Sequence, residues 1–463
     1  MTSPDPTRFA ERLQGALAPA AVFRAGTDEY DDATSPDNSS FAQEPSTVVR
    51  PRSASDVAAT VALARDAGVR VAVQATGHGA GEPIGDELVL VDTSSLQSVS
   101  VDAQAHTVRV GAGAQWSQVQ AEARKHGLLG LSGTSPTVGV AGYVVNGGVG
   151  WLARPHGLAS ATLRAVEFVD GLGAVLRTDA HDADPDALWA FRGGAPVGIA
   201  TELEFDLVAV SDLWAGYLLW PAEHLPALAA AWAAQLADAP AGLTSTVALL
   251  AVPPEGPFPD ELLGTVVVHL SYASVSGEAG LASMRAAMAS VADPAVDTTG
   301  PADADALSAI HLDPPAAVPA RGDGMWLGSV DAEQLVAIFD AAGIGDDDGL
   351  NMIELRHVAP ADPAGPAADG ALTVVPAPYL LHAVGSGSDD AGRRAADARL
   401  AEVAAAAATV SIGRSAPGFR EGQPGTGAAY TPAVLDRLLG AVHRHDPDGV
   451  LAFQRVAAAD SGA

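Results

Sequence analysis

The sequence predicts a protein of α/β or α+β class with two domains, and three observations carry that prediction. Its 463 residues allow two or three domains at roughly 150 residues each. Between Val48 and Val210, short β-rich runs alternate with helical patterns. Near Val210 to Trp214 the character changes to Ala-rich helices, apolar strands such as TVVVHLSY, and Pro/Gly-rich loops. A second domain is expected from there on.

The elements follow in order from their residues. SASDVAATVALARDAG offers Ser53 or Ser55 as N-cap, places Val57, Val61, Ala62 and Ala64 on one face, and stops at Gly68. A strand follows at Val69. PALAAAWAAQLADAP and RRAADARLAEVAAAAAT are interrupted by Asp, Glu and Arg, and read as helices of a globule rather than membrane spans. In YTPAVLDRLLGAVHRHDPDG, Thr431 is the N-cap, Pro432 opens the helix, and the HDPDG turn closes it.

Composition narrows the function. The 25 Lys and Arg against 56 Asp and Glu give a net charge of −31, which repels nucleic-acid and anionic membrane partners. With 48% hydrophobic residues the chain reads as a packed globule with a solvated acidic surface. The absence of cysteine excludes disulfides, thiolate nucleophiles and Cys-based zinc sites. The N-terminus carries no signal-peptide pattern, so a soluble cytoplasmic protein is expected. No H-E-x-x-H and no G-x-S-x-G appears, and His443 and His445 point to different faces of a helix end, so no metal site and no serine hydrolase is expected.

Three glycine-rich turns carry the chemistry. V-A-V-Q-A-T-G-H-G-A-G, Val71 to Gly81, is a strand entering a turn without Lys or Arg, where backbone N–H groups can form an anion nest. Taken alone it also reads as a structural turn, and its spacing is not that of G-x-G-x-x-G. A second block from Leu131 to Leu152 holds six glycines, implying close backbone approach to something flat or bulky. The third runs from Leu188 to Thr201. Together they point to a site for a large cofactor.

The order of these motifs resembles the FAD-linked oxidases of the vanillyl-alcohol-oxidase type, within them the berberine-bridge-enzyme-like branch. PDNSS, RPRSASDVAATVALAR, ATGHGAG, SGTSPTVGVAGYVVNGGVGWLARPHGLAS, WAFRGG, IELRH and LDRL…HDPDGVLAF carry the likeness. It implies the α+β class, with a PCMH-type FAD domain over 1–211, a substrate domain over 212–421 with an antiparallel sheet covered by helices, and a segment, 422–463, that returns to the first domain. Gln74, Ala75, Thr76, Gly77, His78, Gly79 and Ala80 would surround the FAD pyrophosphate. His78 would bond to the flavin 8α-methyl, since neutral imidazole is a competent nucleophile near pH 7. The position where many relatives carry a second, cysteinyl link holds Ser135, so a single covalent bond is expected. Ser135, Thr137, Gly139, Gly142 and Gly148 would contact the cofactor non-covalently. Val138 stands at the family's oxygen-access position, which favours O2 as acceptor and an oxidase over a dehydrogenase. Gly198, Ile199 and Gln454 complete the expected cofactor contacts.

The substrate side rests on two strands. In MIELRH, Met352, Glu354 and Arg356 share one face; in PYLLHAV, Tyr379 and Leu381 share a face opposite His382. Family geometry would set such strands over the flavin, making Glu354, Arg356, Tyr379 and His382 candidates for base or substrate contacts. Glu354 with Arg356 also reads as a surface pair. The family's C-terminal Tyr-x-Asn motif has no match; SAPGFREGQPG with Phe419 occupies that region. The expected activity is hydride transfer from a small organic substrate, a natural-product intermediate by family habit, to FAD. A dehydrogenase, or a flavin- or ligand-binding protein without catalysis, is the alternative.

Overall fold

The computed structural model describes residues 6–17, 21–194, 196–256, 258–313, 316–360, 368–423, 425 and 427–452. Strands β1 (Thr47–Val49), β2 (Arg70–Gln74) and β3 (Leu88–Asp92) pair in parallel, with β3 in the middle and Val22–Phe23 added antiparallel to β1. All five residues of β3 are buried, as a central parallel strand requires. Helix α1 (Ala54–Ala67) connects β1 to β2. Ser53, the first of the two serines the sequence offers, caps it by accepting from the Asp56 N–H, and Gly68 ends it at φ 68°.

A second, antiparallel sheet takes β4 (Val99–Asp102), β5 (Thr107–Gly111), β6 (Leu163–Val169), β7 (Val175–Asp179) and β8 (Ile199–Asp206), in the order β4-β5-β8-β6-β7. Along β8 buried and half-buried residues alternate strictly, the pattern of a strand with one face on the core. Between β5 and β6 the chain makes α2 (Val140–Val145), a short helix inside the second glycine block.

The third sheet is nine-stranded and antiparallel. Its main strands are β9 (Trp214–Pro221), β10 (Leu243–Ala251), β11 (Val266–Ser274), β12 (Ala320–Leu327), β13 (Met352–His357), β14 (Tyr379–Ser386) and β15 (Ser411–Ser415), in the order β9-β11-β10-β13-β14-β12-β15. Helices α3 (Leu225–Leu236), α4 (Ala282–Ala289), α5 (Ala332–Asp340) and α6 (Asp390–Ala407) cover one face, burying Trp232, Met284, Phe339 and Leu400 against Val247, Leu355 and Leu381. The opposite face, through Trp326 and Leu380, shares a core with Val140 and Trp151 of the glycine block. Alternation along β13 and β14 therefore decides which side chains look toward the glycine turns.

Helix α7 (Pro432–His445) starts at Thr431, whose side chain accepts from the Val434 N–H. Beyond it the chain lies along β2: the Val71 N–H donates to Val450 O and the Ala452 N–H to Val71 O, both at 2.8 Å. Among the described residues no helix is long and apolar enough to cross a membrane.

Candidate functional site

A cleft of about 460 Å³ runs between the glycine turns and the open face of the third sheet. The first turn leaves the end of β2 and is held from outside by residues 37 and 38. The Asp37 N–H donates to Thr76 O, the Asn38 N–H to Gly77 O, and Asn38 Nδ2 to Ala80 O. A trans peptide points its N–H opposite its C=O, so these bonds turn the amides of Gly77 and His78 away from that segment. Gly77 sits at φ +70°, and a Cβ there would lie 2.3 Å from Pro36 Cβ. His78 is exposed on this turn, and its own N–H donates to Thr76 Oγ1 at 3.3 Å.

Gln74, Ala75, Thr76, Gly77, His78, Gly79 and Ala80 all line the cleft, with Ser135, Val138, Gly139, Gly142, Gly198 and Ile199. Thr137 and Gly148 do not; Thr137 is exposed and shares a 3.2 Å hydrogen bond with Ser135 Oγ. Gln454 lies outside the described residues. The second glycine block has a different reason for much of its glycine than a cofactor. A Cβ at Gly133, Gly148 or Gly150 would meet the ring or hydroxyl of Tyr143 at 2.8, 2.7 and 3.1 Å. The flat group these glycines accommodate is the chain's own tyrosine. Gly142 differs, because a Cβ there meets nothing within 4 Å and faces open cleft.

Across the cleft, β13 and β14 are in register with Glu354 opposite His382 and His357 opposite Tyr379. Glu354, Arg356 and His382 lie on the cleft side, while Tyr379 turns to the helix-covered side, packing against Trp232 and His357. Tyr379 is thus separated from the other three candidates. The Glu354–Arg356 pair is no surface pair, since the side chains are 1% and 3% exposed. Arg356 Nη2 and Nε stand 2.6 and 2.8 Å from Glu354 Oε1, and the guanidinium lies over Phe419 and Trp151.

Three residues that sequence reasoning missed complete this wall. His311 places Nδ1 at 2.6 Å from Asp313 and Nε2 at 3.4 Å from Glu354. His382 places Nδ1 at 3.3 Å from Glu354 and Nε2 at 3.2 Å from Glu421. An imidazole facing a carboxylate at each nitrogen must donate from both, which only imidazolium does. Burial opposes charge on His311, but Asp313 and Glu354 outweigh it and lift its pKa to about 10; His382 rises against burial to about 9 beside Glu421 and Glu354. Burial would raise Glu354, yet Arg356 and His311 hold it well below the carboxylate range; Asp313 and Glu421 are also lowered against burial, by His311 and His382 respectively. The result is a hydrogen-bonded chain, Asp313–His311–Glu354–His382–Glu421, braced by Arg356, with three negative and three positive groups. His269, neutral with its pKa pushed down to about 4 chiefly by burial, bonds Ile310 O at 3.0 Å and anchors the loop that carries His311.

The cleft fits a flavin dinucleotide. Its glycine-turn side offers main-chain groups and a small apolar floor of Val138, Ala141, Val145 and Ile199. The Tyr143 hydroxyl is buried there without a partner, and Gly142 leaves space open. Residues 45–179 match the family described as FAD binding domain. The class that these define is that of proteins with an FAD-binding domain over residues 45–179, and the chain as a whole has the fold of solved BBE-like structures.

Among individual proteins, it is 34% identical over 181 residues to (R)-6-hydroxynicotine oxidase of Paenarthrobacter nicotinovorans, covering 38% of this chain and 39% of that protein. It is 30% identical over 215 residues to xylooligosaccharide oxidase of Thermothelomyces thermophilus, covering 45% and 43%. These matches span less than half the length of the relatives. In fold it is similar to Physcomitrella patens BBE-like 1, with TM-score 0.80 and 20% identity over 96% of this chain and 98% of that one. The 6-hydroxy-D-nicotine oxidase of Arthrobacter nicotinovorans superposes with TM-score 0.75 at 21% identity, over 94% and 96%.

Proposed function

We propose that the protein is an FAD-dependent oxidoreductase working as an oxidase, with residues 1–211 and 422–463 forming the cofactor domain and 212–421 the substrate domain. The observation that carries this is the meeting, in one cleft, of a glycine turn bearing an exposed histidine and a buried charged wall on the facing sheet. Bound FAD supplies a two-electron oxidant that accepts a hydride from substrate carbon and is reoxidised by O2. The turn from Gln74 to Ala80 holds the cofactor with main-chain amides, and His78 makes its single covalent link. Ser135, at the position of the second link in many relatives, has a hydroxyl that contacts without bonding. Val138 keeps a small side chain beside the ring position, which leaves room for O2. The sheet wall orients a small organic substrate and manages its proton. Support for the oxidase reading comes from the names of the relatives, two of which are oxidases.

The test is the colour and its attachment. The purified protein is expected to be yellow and to keep its flavin through acid precipitation, whereas His78→Ala should release all of it to the supernatant. Release of the flavin from the wild-type protein would contradict the covalent link.

A further inference from the structure

The buried chain on the sheet wall has one member placed unlike the rest. Glu354, the carboxylate that strand periodicity singles out, is 1% exposed and engaged by Arg356, His311 and His382 together. It is enclosed, and it acts on the cleft only through its neighbours. Asp313 is the open end: its side chain is 26% exposed, against 14% for Glu421 at the other end. Its Oδ1 is held by His311, while among the described residues Oδ2 has only the Thr134 hydroxyl at 3.4 Å, a long bond that leaves acceptor capacity toward the cleft. The backbone between the two residues is unusual as well. Leu312 sits at φ 63°, one of two such non-glycine residues among those described, and it joins His311 to Asp313 at the cleft edge. Strain of this kind persists where the surroundings over-determine it, and it collects at functional sites.

We propose that Asp313 is the carboxylate that meets the substrate's reacting O–H or N–H group and takes its proton, with His311 as the positioning residue that ties it to Glu354. This rests on the flavin-oxidase reading above. The substrate's C–H bond breaks with its electron pair passing as hydride to the flavin. Its O–H or N–H bond breaks with the proton passing to Asp313, and C=O or C=N forms. O2 then takes up the hydride pair and that proton as H2O2. The substrate class follows: an alcohol or amine carrying a donor on the carbon to be oxidised. Both ends of the wall present acceptor oxygens, so a carboxylate at that place is disfavoured. The titratable groups facing Asp313 are His311 from its own loop, His78 from the first glycine turn and Arg356 from β13.

The test uses the flavin-loaded protein and three probes built on one ring: benzylamine, benzyl alcohol and benzoate. Their binding is followed by the change in flavin absorption. Benzylamine and benzyl alcohol are expected to perturb the bands and benzoate to leave them unchanged. Asp313→Asn should weaken benzylamine at least tenfold with bound flavin unaltered, while the melting temperature falls because His311 loses a charge partner. His311→Gln, which keeps the carboxylate and loosens its tie, should weaken it less. Equal binding of benzylamine by wild type and Asp313→Asn, or a wild-type spectrum indifferent to all three probes, would overturn the assignment. A colourless preparation instead removes the flavoprotein reading, and this proposal with it.

Discussion

The two sides of the cleft are built on different principles. The glycine-turn side is lined mainly by main chain: residues close in sequence, from 74 to 80 and from 133 to 149, bring amides, small side chains and one histidine to the cavity. The sheet side works through side chains of residues far apart, with Asp313, Glu354, His382 and Glu421 arriving from separate strands and loops. A main-chain site tolerates much side-chain change but no change of backbone shape. A buried charge chain is the reverse, since each member is there to satisfy another.

Breaking the sheet side should have the largest effect. Glu354→Ala leaves Arg356, two imidazoliums and no central carboxylate in a buried place, and is expected to cost roughly 3–5 kcal/mol. Urea unfolding would measure it, and a loss below about 1 kcal/mol would mean the wall is wetter than its burial implies.

The same wall should make stability depend on pH at both ends. His311 and His382 hold protons more tightly in the folded chain than an ordinary imidazole at 6.5, so their contribution is complete below that pH. It disappears as pH rises through about 9 and about 10. The carboxylates, with lowered pKa, stabilise above their usual range and lose this as pH falls. Melting temperature is therefore expected to drop between pH 7 and 10, and His382→Gln should flatten that drop; an unchanged slope would contradict the imidazolium assignment.

The glycine side gives the smallest and most discriminating effects. Gly148→Ala forces a Cβ at φ +70° into Tyr143 and Ala159, and should cost about 1–3 kcal/mol. Gly142→Ala meets nothing and should change stability by less than about 1 kcal/mol, while narrowing the cleft and lowering flavin retention. Equal retention in Gly142→Ala would mean that this glycine does not face the cofactor.

These contrasts explain what could be read in advance. The helix caps Ser53 and Thr431, the glycine stop at Gly68 and the alternation of β13 are local, and local chemistry fixes them. The first glycine turn was legible as a turn because its shape lies in its own backbone, and the structure places it along the cleft. The second was legible only in part: six glycines signalled a bulky neighbour, but nothing in their spacing distinguished a cofactor from Tyr143 seated among them. Strand periodicity placed Glu354 and Arg356 on one face, yet whether that face was solvent or a cleft depended on packing against Trp151 and Phe419. His311, Asp313 and Glu421 carry no pattern around them. Their role exists only once the fold brings the loops before β12 and after β15 beside β13 and β14.

The central claim is that the first glycine turn holds a flavin through His78. Intact mass of the denatured wild-type chain, purified after expression with ample riboflavin, tests it most directly. A mass equal to the polypeptide plus one FAD is the predicted result, and the bare polypeptide mass, even after incubation with the cofactor, would contradict it.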